Sequence, residues 1–363
     1  MSAPWFIDRF LSKAGLKAPG SEEMKRNFRA SLTRVIHKQS LGADEMTEAM
    51  ELIVSGLLSD GDIERFLLAL SQKGETAEEI GSAAGVMRHH AVKLPRPLTG
   101  LLDTCGTGGD GKQTFNVSTL AALTACALGA RVAKHGNRSV SGVCGSADLL
   151  EALGVRIELS PDAVTQCIEA TGFGFFFAPI YHPATRHAMP ARKRIKEKTL
   201  FNLLGPLANP AGASRQLLGV YDARLVGLFA QVLRDLGSER AMVVHGNDGV
   251  DEISLSDVTQ VAEIVQGQIR SYTLTPEDVG LARAPIPACA SKEESIALAR
   301  RVLEGERGPA QDAVAFNAGA ALAVADLAAD VRTGTALARE ALASGRVLLK
   351  TSEIAARSQK AEA

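Results

Sequence analysis

One glycine-rich stretch constrains the fold of this chain more than any other feature. It reads DTCGTGGDGKQTFNVST over residues 103–119, after two leucines and before a small-residue apolar run at 120–128. Glycine adopts positive φ angles and lets backbone N–H groups approach a ligand. The order therefore predicts a strand end, a tight turn and a helix start. A helix start adds unpaired N–H groups and a positive dipole end, so we expect a phosphate or diphosphate here.

The stretch differs from the common nucleotide-binding motifs. It matches neither GxxxxGK[ST] nor GxGxxG, which argues against ordinary ATP and dinucleotide sites. Asp110 lies inside the loop, and its carboxylate would repel a phosphate unless it bound a sugar hydroxyl or an intervening metal ion. The pattern therefore favours a phosphorylated sugar with a divalent cation. A glycine-rich surface turn without a ligand is the open alternative.

Composition limits the classes of protein that the chain can belong to. Its 363 residues suggest two domains, or one large α/β domain with an appendage. A net charge of −1 gives no electrostatic basis for binding nucleic acid or an acidic membrane. Five dispersed cysteines without a CxxC motif predict neither a disulfide framework nor a zinc site. No stretch has the pattern of a leader peptide or a membrane span. We expect a cytoplasmic protein.

Hydrophobic periodicity divides the chain into three parts. Residues 1–27 are predicted to form an N-terminal extension, residues 28–93 an α-helical domain, and residues 94–363 an α/β domain. Thr76 and Glu79 have the spacing of a capping box at a helix start. Four apolar residues in the helical domain follow the i, i+3, i+4, i+7 rule: Ile63, Phe66, Leu67 and Leu70.

Strands and helices alternate after the helical domain. This order predicts a mainly parallel central sheet flanked by helices, with ligands at the carboxyl ends of the strands. Residues 252–274 alternate apolar and polar, which predicts antiparallel strands, and the chain from Ser291 onward is predicted to be helical. Strands are predicted at 101–104, 131–134, 155–159, 173–177, 216–220 and 241–245, and helices at 119–128, 146–153, 161–172 and 225–236.

Two further stretches follow predicted strands of this sheet. Residues 134–146 read KHGNRSVSGVCGS and offer two cations with several hydroxyl and amide donors, which suit a polyanion. Asp251 and Glu252 follow the strand at 241–245, and Mg²⁺ is often held by one or two carboxylates plus substrate phosphates. A solvated loop is the open alternative for residues 134–146, although their place beside the glycine-rich loop favours anion binding. A lone Asp-Glu pair is more often a surface feature than a metal site, but its place at a strand end of the same sheet favours a metal site. His135 and His245 could act as acid–base groups or simply form loop hydrogen bonds.

The segment 182–202 interrupts the alternation. It reads HPATRHAMPARKRIKEKTLFN, which is strongly basic and helical in pattern. We expect the chain to return here, over about residues 182–204, to the helical domain and to place a cationic helix opposite the sheet. A solvated basic face explains the charge pattern equally well.

Several of these stretches together resemble one enzyme family. The runs DTCGTGGD…FNVST, KHGNRSVSG, GSADLLEALG, TLFNLLGPLANPA and VDEIS are similar to those of the anthranilate phosphoribosyltransferases, in order, over about residues 28–350. The resemblance implies transfer of a phosphoribosyl group from phosphoribosyl diphosphate to anthranilate in tryptophan biosynthesis, with Mg²⁺. It also implies a homodimer formed through the helical domains and an α/β fold of the nucleoside phosphorylase/phosphoribosyltransferase type.

The resemblance also implies residue roles. It assigns anthranilate contacts to Gly106, Asn137 and Arg192, and magnesium contacts to Ser118, Asp251 and Glu252. No residue is assigned acid–base catalysis. Contacts with phosphoribosyl diphosphate fall on Gly106, Gly109, Asp110, Thr114, Asn116, Val117, Ser118, Thr119, Lys134, His135, Gly136, Asn137, Arg138, Ser139, Val140, Ser141, Gly142 and Ser146.

Two departures and two alternatives accompany this assignment. Gly142 stands where the family usually has serine, and Lys198 where it usually has arginine. Pyrimidine-nucleoside phosphorylases share the implied fold, but their phosphate loop differs. A nucleic-acid-binding paralogue is expected to be basic and to lack the carboxylate pair Asp251–Glu252. We therefore expect no nucleic acid and no membrane among the partners.

Overall fold

The chain forms two compact units in a computed structural model that describes residues 21–139 and 143–361. The first unit contains the described residues up to His90 together with Pro183–Leu204, and the second contains Ala91–His182 and the described residues from Gly205 onward. Residues 1–20, most of the predicted extension, lie outside the described residues, as do Val140, Ser141 and Gly142. No helix in the described ranges is long and apolar enough to cross a membrane.

The first unit is helical in its described residues. Its apolar stripe is buried as predicted, with Ile63, Phe66, Leu67 and Leu70 each at most 1% exposed. Glu79 N–H donates to Thr76 Oγ1 (3.2 Å) and Thr76 N–H donates to Glu79 Oε2 (2.8 Å), which confirms the predicted capping box. The helices are Ser21–Ile36, Ala43–Val54, Asp60–Lys73, Ala77–His90, Met189–Arg194 and Leu200–Leu204, with a 3₁₀ turn at Pro183–His187.

The second unit is built on one sheet of seven strands within the described residues, in the order β3-β2-β1-β4-β5-β6-β7. Strands β1 to β5 run parallel, and β6 and β7 are antiparallel additions at one edge. The mainly parallel sheet and the antiparallel region are therefore confirmed. The strands are β1 Leu101–Gly106, β2 Arg131–Gly136, β3 Phe173–Phe177, β4 Arg215–Gly219, β5 Arg240–Gly246, β6 Thr259–Val265 and β7 Gln268–Leu274.

Helices cover the sheet and complete the core. Val117–Ala127 and Pro309–Val324 are buried along almost their whole length, because alanine, leucine and valine dominate both. The chain from Lys292 is helical as predicted. The remaining helices are Ser146–Ala152, Pro161–Thr171, Ala178–Tyr181, Arg224–Asp235, Lys292–Leu303, Val331–Ala343 and Arg346–Lys360, with 3₁₀ turns at Gly205–Leu207 and Pro276–Val279.

The strand order places a topological switch point between β1 and β4. The chain moves outward from β1 through β2 to β3, then returns and continues from β4 to β5 on the other side. Ligands of open α/β sheets bind at such points, beyond the carboxyl ends of the strands. The glycine-rich stretch begins at this position.

One predicted strand is wrong. Residues 155–159 are irregular and pair with none of the seven strands. Their alternation has another cause: Val155, Ile157 and Leu159 are buried, while Arg156 N–H donates to Ser358 Oγ (2.9 Å) in the helix Arg346–Lys360. The segment is an extended connection packed against a helix.

Candidate functional site

The glycine-rich stretch forms the predicted strand end, turn and helix start. Strand β1 ends at Gly106, and the helix Val117–Ala127 begins after the loop. Gly108, Gly109 and Gly111 have φ angles of 63°, 72° and 73°, a region that side chains with a Cβ rarely adopt. The glycines are therefore required by the backbone, and their N–H groups lie at the carboxyl end of the sheet.

Two glycines let a carboxylate turn approach the switch point. Gly106 of β1 pairs with Gly219 of β4. A Cβ on Gly106 would lie 2.4 Å from Asp251 Oδ2, and one on Gly219 would lie 1.6 Å from the Asp251 carbonyl oxygen. Because only glycine leaves this space, Asp251 packs directly over the ends of both central strands. Sequence analysis did not single out Gly219; its place at a strand end was the available signal.

Asp251 and Glu252 join the two parts of the glycine-rich stretch. Asp251 Oδ2 accepts a hydrogen bond from Gly108 N–H (2.7 Å), and Glu252 Oε1 accepts one from Ser118 N–H (3.1 Å) at the helix start. Burial, reinforced by the charge of Asp110, raises the pKa of Asp251 to about 7. Burial and the neighbouring Asp251 also raise the pKa of Glu252. The structure therefore brings together the predicted anion loop and the predicted metal pair.

The donor set suits a hard cation. The Oδ2 atom of Asp110 is buried and has no hydrogen-bond partner within the described residues, and Asp110 adds to the unfavourable charge at Asp251. A cation would relieve this repulsion. The described residues contain no group of three histidine, cysteine or carboxylate side chains able to hold a metal ion. Mg²⁺ fits these residues because it commonly uses one or two carboxylates and takes its other oxygens from water and phosphate.

The other residues near the first loop that were predicted to contact the diphosphate substrate offer it mainly backbone groups. The side chains of Val117 and Thr119 are buried, so the N–H groups of the helix start are what they present. Asn116 Nδ2 donates to the Cys144 carbonyl (2.9 Å) and links this loop to the second one. Thr114 forms an isolated β-bridge with Ala288.

The second loop is braced by an acidic side chain that sequence analysis missed. Asp148 accepts hydrogen bonds from Ser139 N–H (3.1 Å) and Gly145 N–H (2.9 Å), and from Lys292 Nζ (2.7 Å). Burial alone would raise the pKa of Asp148, but the Lys292 and backbone hydrogen bonds lower it to about 2. Its position three residues after Gly145, in the helix start, was the available signal.

Other residues of the second loop are also engaged by neighbouring groups. Arg138 pairs with Glu151 (2.5 Å) and Asp148 (3.3 Å), so its charge is already compensated. Gly136 lies against Ser146, whose Oγ donates to the Asn137 carbonyl (3.3 Å). The loop is thus closed on itself beside the first loop.

Lys134 and His135 point into the protein. Lys134 is 2% exposed and its Nζ donates to the Thr104 carbonyl. Burial lowers the pKa of Lys134, although the nearby Asp103 opposes this. His135 Nδ1 donates to the Gly205 carbonyl (3.0 Å), and burial lowers its pKa to about 3, so the ring is neutral.

A buried polar network lies beneath these residues. Asp103 is completely buried; its Oδ2 accepts from Asn209 Nδ2 (2.8 Å), and its Oδ1 accepts from His135 N–H (3.3 Å). Burial raises the pKa of Asp103 to about 6, while the charge of Lys134 opposes the shift. The network ties β1 to β2. Sequence analysis missed Asp103 and Asn209, although a carboxylate directly after two strand leucines is a detectable signal.

Arg192 belongs to the first unit. It lies on the helix Met189–Arg194, with its guanidinium carbon 4.9 Å from the centre of the Phe201 ring and one N–H donating to Met189 Sδ (3.7 Å). Burial lowers the pKa of Arg192. Its neighbour Arg194 is instead paired with Glu64 (2.9 Å) and Asp60 (3.3 Å). Arg192 therefore differs from the solvated arginine that the charge pattern also allowed.

Comparison with known proteins identifies the family. Residues 98–348 match the glycosyl transferase family, a/b domain, and residues 29–91 match its helical bundle domain. The anthranilate phosphoribosyltransferases of Desulfatibacillum aliphaticivorans and Nitrosomonas europaea are 47% and 49% identical, over 89% and 88% of this chain and 96% and 94% of theirs. The chain belongs to the anthranilate phosphoribosyltransferase family.

Solved anthranilate phosphoribosyltransferases have the same fold. The enzyme from Thermus thermophilus is 46% identical, with a TM-score of 0.84 over 90% of this chain and 99% of that one. The enzyme from Saccharomyces cerevisiae, in complex with phosphoribosyl diphosphate and magnesium, is 27% identical with a TM-score of 0.83, over 91% and 98%.

Proposed function

We propose that the protein transfers the phosphoribosyl group of 5-phosphoribosyl 1-diphosphate to the amine of anthranilate, releasing diphosphate, as a step of tryptophan biosynthesis. One observation carries this proposal: Asp251 and Glu252 contact the N–H groups of Gly108 and Ser118 at the sheet switch point. A site with both metal-binding oxygens and anion-binding N–H groups suits a diphosphate bound with a divalent cation.

The residues of the second unit stabilise the leaving diphosphate. N–H groups of the glycine-rich loop and of the helix start at Val117 are fixed by the fold, so little reorganisation is needed as charge develops on the oxygens. Asp251, Glu252 and Ser118 would hold Mg²⁺, which when bound neutralises charge on the diphosphate. Lys134 acts indirectly, because its Nζ donates to the Thr104 carbonyl near the end of β1 and does not point outward.

Binding of anthranilate requires a protein group that pairs with its carboxylate, and its reaction requires no general base. Its aromatic amine is neutral at pH 7 and can attack the anomeric carbon directly. His135, whose pKa burial lowers to about 3, would be a poor proton acceptor. Arg192 is the proposed partner of the carboxylate, because a planar guanidinium can form two parallel hydrogen bonds with a carboxylate. Its guanidinium carbon lies 4.9 Å from the centre of the Phe201 ring. Gly106 and Asn137 complete the proposed anthranilate contacts.

The remaining parts of this proposal rest on the resemblance to the family. The contacts of phosphoribosyl diphosphate with the two loops, including Val140, Ser141 and Gly142, belong to this proposal, as does the division into an extension, a helical domain and an α/β domain. So do a homodimer formed through the helical domain and a cytoplasmic location. Free thiols at all five cysteines agree with a reducing compartment.

Anthranilate fluorescence provides the direct assay. The purified protein should consume anthranilate only when phosphoribosyl diphosphate and Mg²⁺ are both present, and chelation of the metal should stop the reaction. Consumption without the diphosphate substrate, or unchanged consumption after chelation, would refute the proposed reaction.

A further inference from the structure

One polar side chain lies in the middle of a buried helix that is otherwise apolar at that point. Residues 313–324 of the helix Pro309–Val324 read AVAFNAGAALAV, and Asn317 is completely buried. Asparagine is unfavourable in helix interiors, because its side chain competes for backbone hydrogen bonds. We propose that Asn317 is a positioning residue for the reaction, which holds the backbone beside Glu252 and thereby fixes the carboxylate pair Asp251–Glu252.

The Asn317 amide bonds to both main-chain polar groups of one residue. Ile253 N–H donates to Asn317 Oδ1 (3.0 Å), and Asn317 Nδ2 donates to the Ile253 carbonyl (3.2 Å). Asn317 Nδ2 also donates to the Ala313 carbonyl, one turn earlier in its own helix (3.0 Å). A carboxamide has one acceptor oxygen and two N–H donors, so these bonds fix the orientation of the amide as well as the position of Ile253.

These contacts lie directly next to the proposed metal pair. Ile253 follows Glu252, and the described segment 247–258 connects β5 to β6 without forming a helix or a strand. Ile253 is completely buried, and the next residue, Ser254, donates its N–H to Thr259 Oγ1 (2.9 Å) at the start of β6. Hydrogen bonds from side chains to the main chain therefore hold this part of the segment in place.

The carboxylate pair is held from two sides. The glycines at the ends of β1 and β4 leave room for Asp251, and Asn317 anchors the residue after Glu252. Within this frame, Glu252 Oε1 accepts from Ser118 N–H (3.1 Å). A metal ligand binds better when neighbouring groups hold it in place. Because a shift of Ile253 would move Glu252 with it, we expect Asn317 to affect the metal affinity of the pair; this inference rests on the proposed function.

A purely structural role for Asn317 makes a different prediction. Loss of its buried hydrogen bonds would then lower the stability of the protein and leave the affinity for phosphoribosyl diphosphate unchanged. Loss of a positioning contact would weaken binding of phosphoribosyl diphosphate most where Mg²⁺ is limiting, since the carboxylates act through the metal. The dependence of binding on Mg²⁺ therefore separates the two roles.

Two substitutions remove the contacts with different effects on packing. Asn317→Leu keeps roughly the volume of the side chain and Asn317→Ala reduces it, and neither new side chain can form a hydrogen bond with Ile253. Calorimetric titration of the full-length protein measures the dissociation constant of phosphoribosyl diphosphate at limiting and at saturating Mg²⁺. At limiting Mg²⁺ we expect both variants to raise it by about tenfold or more, the range for loss of a group that orients a metal ligand. The increase should be much smaller at saturating Mg²⁺.

Leu342→Ala is the control for general destabilisation. Leu342 is completely buried in the helix Val331–Ala343, in the hydrophobic core that also contains Phe316. Its truncation should lower the unfolding temperature without changing the dissociation constant at either Mg²⁺ concentration. An equal increase in Leu342→Ala, or no increase in Asn317→Ala, would overturn the positioning role. Failure of the wild-type protein to bind phosphoribosyl diphosphate at any Mg²⁺ concentration would instead contradict the proposed function, and this inference with it.

Discussion

At the scale of single residues, Asp251 and Glu252 are adjacent buried carboxylates whose ionised forms are disfavoured. Burial raises both pKa values, and the charge of Asp110 adds to the shift at Asp251 while that of Asp251 adds to the shift at Glu252, so a nearby positive charge stabilises the ionised pair. We expect Asp251→Asn combined with Glu252→Gln to raise the Mg²⁺ concentration needed for half-maximal activity and to slow turnover. The unfolding temperature should not fall, because the amides remove the repulsion. A double variant with unchanged activity and unchanged magnesium dependence would show that the carboxylates are not ligands.

Arg192 is the residue expected to separate the two substrates. Arg192→Ala should raise the anthranilate KM by an amount equivalent to about 1.5–3 kcal/mol, the range for a charged hydrogen bond. The KM for phosphoribosyl diphosphate should change far less, because its proposed contacts lie on the second unit. Steady-state kinetics with each substrate varied in turn provide the comparison. Equal increases in both KM values would contradict a specific carboxylate role.

At the scale of structural elements, the ends of β1 and β4 are shaped by glycine. A Cβ at Gly219 would lie 1.6 Å from the Asp251 carbonyl oxygen, so Gly219→Ala must displace the carboxylate turn. We expect kcat/KM for phosphoribosyl diphosphate to fall by about tenfold or more while the fold persists. Gly227→Ala is the matched control, since that glycine lies in the helix Arg224–Asp235 with nothing within 4 Å of its Cβ position. Similar losses in both variants would argue against displacement of the turn.

The elements also show how far sequence can predict this structure. Apolar periodicity and turn chemistry were sufficient for nine of the ten strands and helices predicted between residues 101 and 245, including β1, β2, β5 and the helix Pro161–Thr171, because each element matches its local pattern. The strand predicted at residues 155–159 was wrong, because alternation of apolar and polar residues indicates that one face is buried but not which element buries it. A helix can bury such a segment as well as a sheet can.

Side-chain direction was harder to predict than position. Lys134 stands at a strand end, as expected, but residues alternate across a strand and its side chain enters the buried network below the loop. Asp103 and Asn209 are distant in sequence and meet only in the folded unit. No local pattern encodes that contact.

At the scale of the whole molecule, buried histidines link stability to pH. Burial lowers the pKa of His182 from 6.5 to about 4. The unfolded chain therefore binds more protons between these values, so this residue's contribution to stability is lost as the pH falls from 7 to 5. We expect His182→Gln to reduce the acid-induced loss of unfolding free energy by up to ~2 kcal/mol. Denaturant titrations at pH 7 and pH 5 measure this; an identical loss in the variant would contradict it.

The central claim is that the anomeric carbon of the sugar moves from diphosphate to the anthranilate nitrogen. The most direct test combines ¹⁵N-anthranilate with phosphoribosyl diphosphate labelled with ¹³C at C1, in the presence of Mg²⁺. NMR should show a one-bond ¹³C–¹⁵N coupling in the product and one diphosphate released for each anthranilate consumed. Release of diphosphate without that coupling, leaving anthranilate intact, would contradict the account.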